Sequence, residues 1–221
     1  MGLFKQPEFF SLGVQLTPGL FIRGMQFPNA VEILVGAGDV AIRSRNRLWR
    51  GSDNDSVLLA CGETFDLLLL RPDALSIGAL TIRLSAVGHT LSSYSALWNV
   101  CASEVLENPR EHWNAILMAR RLGLSSEKLR HKLFAEGAAL SEIIWKQRCM
   151  SALVMLSTTD ASLNLIAANA GFKDKKHMQT MVGNMLMVNL DRLERPAIGD
   201  GTGPIRPGRA ELPSRVFRIR P

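Results

Sequence analysis

The chain has 221 residues, of which 47% are hydrophobic and 21% charged, and its mean hydropathy is +0.08. That composition supports a large buried core and excludes a chain disordered throughout. No stretch reaches the roughly 18 uncharged apolar residues of a membrane span. The start, Met1-Gly2-Leu3-Phe4-Lys5, has no signal-peptide pattern and no myristoylation pattern, so a cytoplasmic chain is expected. The formal charge of +6 is uneven: net −1 over residues 1–110, +3 over 111–194 and +4 over 195–221. A polyanion-binding half is therefore expected towards the C-terminus.

Residues 1–86 read as strands. Gly and Pro punctuate them at Gly13, Pro18-Gly19, Gly24, Pro28, Gly36, Gly38, Gly51, Gly62, Pro72 and Gly78. Short apolar runs lie between: residues 20–22, 31–35, 40–42, 57–60, 65–70 and 79–84. Many short strands at close spacing predict a small β sandwich or barrel. Arg43, Arg45 and Arg47 alternate and fit one face of a strand, as a solvated face or an anion site. Trp49 beside Arg50 fits a core position. A metal-dependent enzyme on a barrel of this strand density needs a clustered His pair, and the first His is His89.

The pattern then changes. Leu91, Tyr94, Leu97, Trp98, Cys101, Val105 and Leu106 recur at steps of three and four, one face of a helix of about five turns. Asn108-Pro109 stops it, because the residue before proline is pushed out of helical geometry. This segment, residues 87–109, reads as a connecting helix that either packs on the β domain or mediates dimerisation. The break at Pro109 also predicts that residues 108–196 fold alone. Residues 110–195 read as helical almost throughout, and residues 196–221, rich in Pro, Gly and Arg, as a disordered basic tail.

The helical half contains an internal echo. Met118-Ala119-Arg120-Arg121-Leu122-Gly123-Leu124 returns 48 residues later as Ile166-Ala167-Ala168-Asn169-Ala170-Gly171-Phe172. A small Ala lets two helices cross closely, a Gly takes the left-handed backbone that ends a helix, and the apolar residue after it plugs the corner. Ser125 and Asp174 are placed to cap the helices that follow. In the first of these Leu129 and Leu133 point inward; in the second, Met178 and Val182 do. Two helix-turn-helix units joined by a helix over residues 143–156 put their second helices within reach of a major groove. Candidate DNA contacts are Ser126, Glu127, Lys128, Arg130, His131 and Lys132 on the first, and Lys173, Lys175, Lys176, Gln179 and Thr180 on or beside the second. Lys and Arg suit phosphates and guanine edges, and Gln suits adenine.

Residues 112–195 resemble the double helix-turn-helix domain of AraC/XylS-type transcription regulators. The first unit matches through Ala119, Leu122-Gly123-Leu124-Ser125, Leu129, Leu133, Glu136-Gly137 and Ser141-Glu142, with Arg148 and Ala152 on the linking helix. The second matches through Leu163, Ile166-Ala167, Gly171-Phe172, Asp174 and His177. The chain departs from the pattern at Lys176, Met178, Thr180 and Val182, and its closing Gly-x-Ser-Pro turn reads Met187-Val188-Asn189-Leu190. The resemblance implies an α+β bacterial regulator of transcription, more often an activator, with promoter DNA and RNA polymerase as partners, no cofactor and an N-terminal domain that senses or dimerises. That domain is short, which favours a protein partner or a dimer contact over a deep ligand pocket. The alternative is a protein-interaction co-regulator whose second unit no longer reads DNA.

Other chemistry has little support. Cys61, Cys101 and Cys149 are scattered and odd in number, as reduced, buried thiols are expected to be. The four His share no ligand spacing with one another or with Cys, so no metal and no enzyme is expected.

Overall fold

Alternation decides the first half of the chain. In the strands β2 (Leu20–Met25), β3 (Val31–Ala37), β4 (Asp39–Ser44) and β7 (Phe65–Leu70) buried side chains alternate with less buried ones, with one register shift in β2 between Ile22 and Met25, so each strand has one dry and one wetter face. The structure is a computed structural model and describes residues 9–14, 19–45, 47–70, 78–85, 96–188, 193–194 and 218–219. Four further strands are β1 (Phe9–Val14), β5 (Arg47–Gly51), β6 (Ser56–Leu59) and β8 (Gly78–Leu84). They form two antiparallel sheets in the orders β1-β8-β3-β6 and β2-β7-β4-β5. This is the strand order of a jelly roll. Ile22, Ile33, Ile42, Leu67, Leu69 and Ile82 fill the space between the sheets. The expected β sandwich is present, with β1 and β5 in addition to the apolar runs.

Six helices follow among the described residues: α1 (Leu97–Glu107), α2 (Ala115–Arg121), α3 (Ser126–Ala135), α4 (Leu140–Thr158), α5 (Leu163–Asn169) and α6 (Lys175–Leu186). The fold is α+β. Two cores hold it. One unites the sandwich with the body of α4, α5 and α6, through Met150, Val154, Ile166, Met178 and Leu186. The other joins α1, α2, α3 and the start of α4, through Cys101, Val105, Trp113, Met118, Leu129, Leu133 and Ile143. Helix α4 is buried almost all round from Gln147 to Ser157 because it serves both.

Helices α4 and α6 lie against β1 and β2. Those strands are the edges of their sheets, so the helices cover edges that would otherwise be open. The Gln26 carbonyl accepts from Gln147 Nε2 at 3.2 Å, and Gln26 Oε1 accepts from Lys146 Nζ at 3.1 Å.

Three expectations change. The boundary near residue 110 divides one core: α1 packs on α3 and α4, so it belongs with the helical half. Val105, on the stripe expected either to pack on the β domain or to mediate dimerisation, is fully buried inside the chain itself, in the core shared with α2, α3 and the start of α4; Leu91 and Tyr94 lie outside the described residues. Arg43 and Arg47 do not share a strand, because the chain reverses at Arg45 (φ 20°) and Arg43 pairs with Leu48. Most of the 196–221 tail lies outside the described residues, but β10 (Arg218–Ile219) pairs antiparallel with β9 (Leu193–Glu194). Among the described residues no helix is long and apolar enough to cross a membrane.

Candidate nucleic-acid interface

The sequence echo is a structural echo. Asn114 caps α2, accepting from the Ile116 and Leu117 amides at 3.0 and 2.9 Å. The helix ends at Gly123, φ +64°, and the Leu124 amide turns back to the Ala119 carbonyl at 2.8 Å. Ser125 then caps α3, its hydroxyl accepting from the Lys128 amide at 3.2 Å. The second unit repeats each step. Ser162 caps α5, Gly171 ends it at φ +79°, and the Phe172 amide reaches the Ala167 carbonyl at 2.8 Å. Asp174 caps α6, accepting from the His177 amide at 2.7 Å. Leu129, Leu133, Met178 and Val182 are buried, as their spacing predicts.

The outward face of α3 carries Glu127, Lys128, Arg130, His131 and Lys132, all exposed. His131 Nε2 lies 3.8 Å from Glu127, one turn earlier. Arg130 Nε donates to the Ser126 carbonyl at 3.4 Å, which aligns its stem along the helix. Ser126 is different: its hydroxyl donates to the Ala115 carbonyl at 3.4 Å, tying α3 to α2. Beside this face runs a groove of about 950 Å³, walled by the start of α2, by α3 and by the residues that open α4. The first residues of α4 have no side-chain cap, so the positive end of a 19-residue helix borders the groove.

On the second unit Lys173, Lys175, Lys176 and Thr180 are exposed and Gln179 is half-buried. His177 is structural here. Its Nδ1 accepts from the Lys173 amide at 3.4 Å, and its ring stands edge-on to Trp145 and Phe172, with centroids 5.2 and 5.7 Å away.

Arg148 ties the linking helix α4 to the loop that precedes α2. It is buried, donating from Nε to the Pro109 carbonyl and from Nη2 to the Glu111 carbonyl, each at 3.0 Å, and its guanidinium lies 5.0 Å from the Trp145 ring centroid. Burial pushes its pKa below the ordinary arginine value. Gly171 faces the same Pro109 carbonyl so closely that a Cβ would collide with it. Glu136, at the end of α3, accepts from the Leu97 and Trp98 amides, both at 2.8 Å, and so caps α1, whose own N-cap residue Ala96 makes no side-chain bond.

Sequence reasoning missed two residues. Phe134 on α3 is 83% exposed; the available signal was a Phe lying off the Leu129–Leu133 stripe. Glu136 was noted only as part of a motif. Cys61 is exposed, against expectation, while burial pushes the thiols of Cys101 and Cys149 up to about 12. Among the described residues no three His, Cys, Asp or Glu gather as metal ligands.

No family model and no curated protein matches the sequence. Solved structures of ToxT from Vibrio cholerae match the fold. A lysine-to-alanine variant of apo ToxT has a TM-score of 0.60 at 12% identity, covering 84% of this chain and 96% of that one. Wild-type ToxT bound to an unsaturated fatty acid has a TM-score of 0.59 at 11% identity, covering 82% and 92%. The 1.65 Å structure of ToxT gives 0.59 at 11%, covering 83% and 97%. Jelly roll and six helices together therefore take the fold of ToxT, an AraC-family protein, in keeping with the resemblance carried by residues 112–195.

Proposed function

We propose that the protein is a sequence-specific DNA-binding regulator of transcription, in which α3 and α6 enter the major groove of one duplex. The observation that carries the reading is the repeated helix-turn-helix geometry, with a basic outward face on each second helix. Helix α4 spans about 28 Å at 1.5 Å per residue. That length approaches the ~34 Å repeat of B-DNA, which suits successive groove segments on one side of the duplex. Phosphate contacts come from Lys128, Lys132, Lys173, Lys175 and Lys176; base contacts come chiefly from Arg130 and His131, with Glu127 able to accept from cytosine. The regulator acts in a bacterial cytoplasm as an activator that contacts RNA polymerase, and the sandwich takes a protein partner or a second copy.

The second reading is a co-regulator that works through protein contacts. It is favoured by α6, where Thr180 is short and Gln179 half-buried. Binding-site selection from random duplexes with the full chain separates the two. The regulator enriches a defined sequence, and its affinity falls with salt at a log–log slope of about −0.9 per neutralised phosphate. The co-regulator enriches none.

A further inference from the structure

We infer that Phe134 is a specificity-determining residue that reads the 5-methyl group of a thymine in the major groove. The inference rests on the DNA-reading role proposed for α3. Phe134 is 83% exposed, although Leu129 and Leu133 of the same helix are at most 1% exposed. A Phe ring left in water forgoes its hydrophobic burial, and an apolar group of the duplex meeting it on this face would recover part of it. Its position follows from the helix period. Glu127, Arg130, His131 and Phe134 are spaced by three and four residues, so they form one continuous row, and all four border the same groove. The row thus presents a carboxylate, two nitrogen donors and an apolar ring in succession along one helix face.

The base edges offer one apolar group in the major groove, the thymine methyl, and an aromatic side chain is among its natural partners. Phe134 lies four residues beyond Arg130, about 6 Å along the helix axis. Base pairs rise about 3.4 Å, so the thymine is placed roughly two base pairs from the base that Arg130 contacts. Lys128 and Lys132 flank the row and face phosphates instead.

The test replaces each thymine of the selected duplex by deoxyuridine, which removes only the methyl group. Affinities of the full-length wild-type chain and of Phe134→Ala are measured on every duplex. Phe134 is exposed, so the variant keeps the fold, checked by circular dichroism. We expect one thymine at which deoxyuridine weakens wild-type binding about three- to fivefold, the worth of one buried methyl. Phe134→Ala should bind the thymine duplex correspondingly weakly and be indifferent to that change. Equal sensitivity of the two proteins at every position, or none in either, overturns the role of Phe134 and leaves DNA reading by α3 standing. Failure of the wild-type chain to enrich any sequence overturns the underlying reading, and this inference with it.

Discussion

The carboxylate of Glu136 holds the Leu97 amide at 2.8 Å and the Trp98 amide at the same distance. The C-terminal end of the candidate reading helix thereby caps the helix that leads into it from the sandwich. Trp98 and Asn99 in turn sit against Gly62, in the turn between β6 and β7, where a Cβ would collide with the Asn99 side chain. Sandwich, α1 and α3 are thus linked by a short series of contacts, and α6 touches the sandwich directly.

Removing the carboxylate should loosen this link. Glu136→Ala is expected to lose about 1–2 kcal/mol of stability, as for loss of an N-cap, while Glu136→Gln retains part of it through its amide oxygen. Urea denaturation reads the difference. Equal stability of all three proteins would show that the cap is made by water instead.

The two corner glycines allow a matched comparison. Both have left-handed backbones, but a Cβ on Gly123 meets nothing within 4 Å, whereas one on Gly171 strikes the Pro109 carbonyl. Gly123→Ala should cost about 1–2 kcal/mol, the backbone penalty alone. Gly171→Ala should cost at least ~2 kcal/mol more, because Pro109 and Arg148 must move. Similar losses at the two sites would mean that the Pro109 loop gives way freely.

Met187 offers the reverse case. It adopts φ +58° at the end of α6, at the position where the related pattern has Gly. Its side chain is 57% exposed, so little packing opposes replacement. Met187→Gly should therefore stabilise the chain by up to about 1 kcal/mol, seen as a higher Tm. A lower Tm would assign Met187 a packing role that its exposure does not suggest.

Thiol reactivity tests the burial pattern. One cysteine, Cys61, is exposed, whereas burial disfavours the thiolates of Cys101 and Cys149 and pushes their pKa up to about 12. At pH 8 an alkylating reagent should modify one thiol in the native protein and three in denaturant. Rapid modification of all three in the native protein contradicts the packing of α1 and α4.

The repeat was legible in the sequence because each of its signals is local. The Ala119 and Gly123 spacing, the caps Ser125 and Asp174 and the inward pairs Leu129–Leu133 and Met178–Val182 all act within a few residues of one another. The sandwich was legible from alternation in β2, β3 and β7. Less visible was anything set by distant contacts. Val105 has the spacing of an interface residue, but α4, some 40 residues further on, buries it. A break at Pro109 looks like a domain boundary, yet Arg148 binds that loop and α1 fills the core beneath α3. A fragment of residues 108–196 is accordingly expected to show exposed apolar surface and non-cooperative melting, because it lacks α1 and bares the α4 and α6 faces that lie on the sandwich. Phe134 was half legible: its spacing puts it off the Leu129–Leu133 stripe, but whether another element covers it is decided by distant packing, and none does to more than a small extent.

The central claim is that the two second helices meet DNA, with α3 reading bases and α6 supplying mainly phosphate contacts. Binding-site selection with full-length wild type, Arg130→Ala, His131→Ala and a Lys175→Ala, Lys176→Ala double variant tests it most directly. The wild type should enrich one defined site. Arg130→Ala and His131→Ala should relax preference in one half of it, where a good bidentate contact is worth roughly 1–3 kcal/mol. The double lysine variant should weaken binding to all sequences about equally and lower the salt slope by about 1–2. Lysine variants that lose preference at specific bases, while Arg130→Ala and His131→Ala leave the enriched sequence unchanged, would contradict the account.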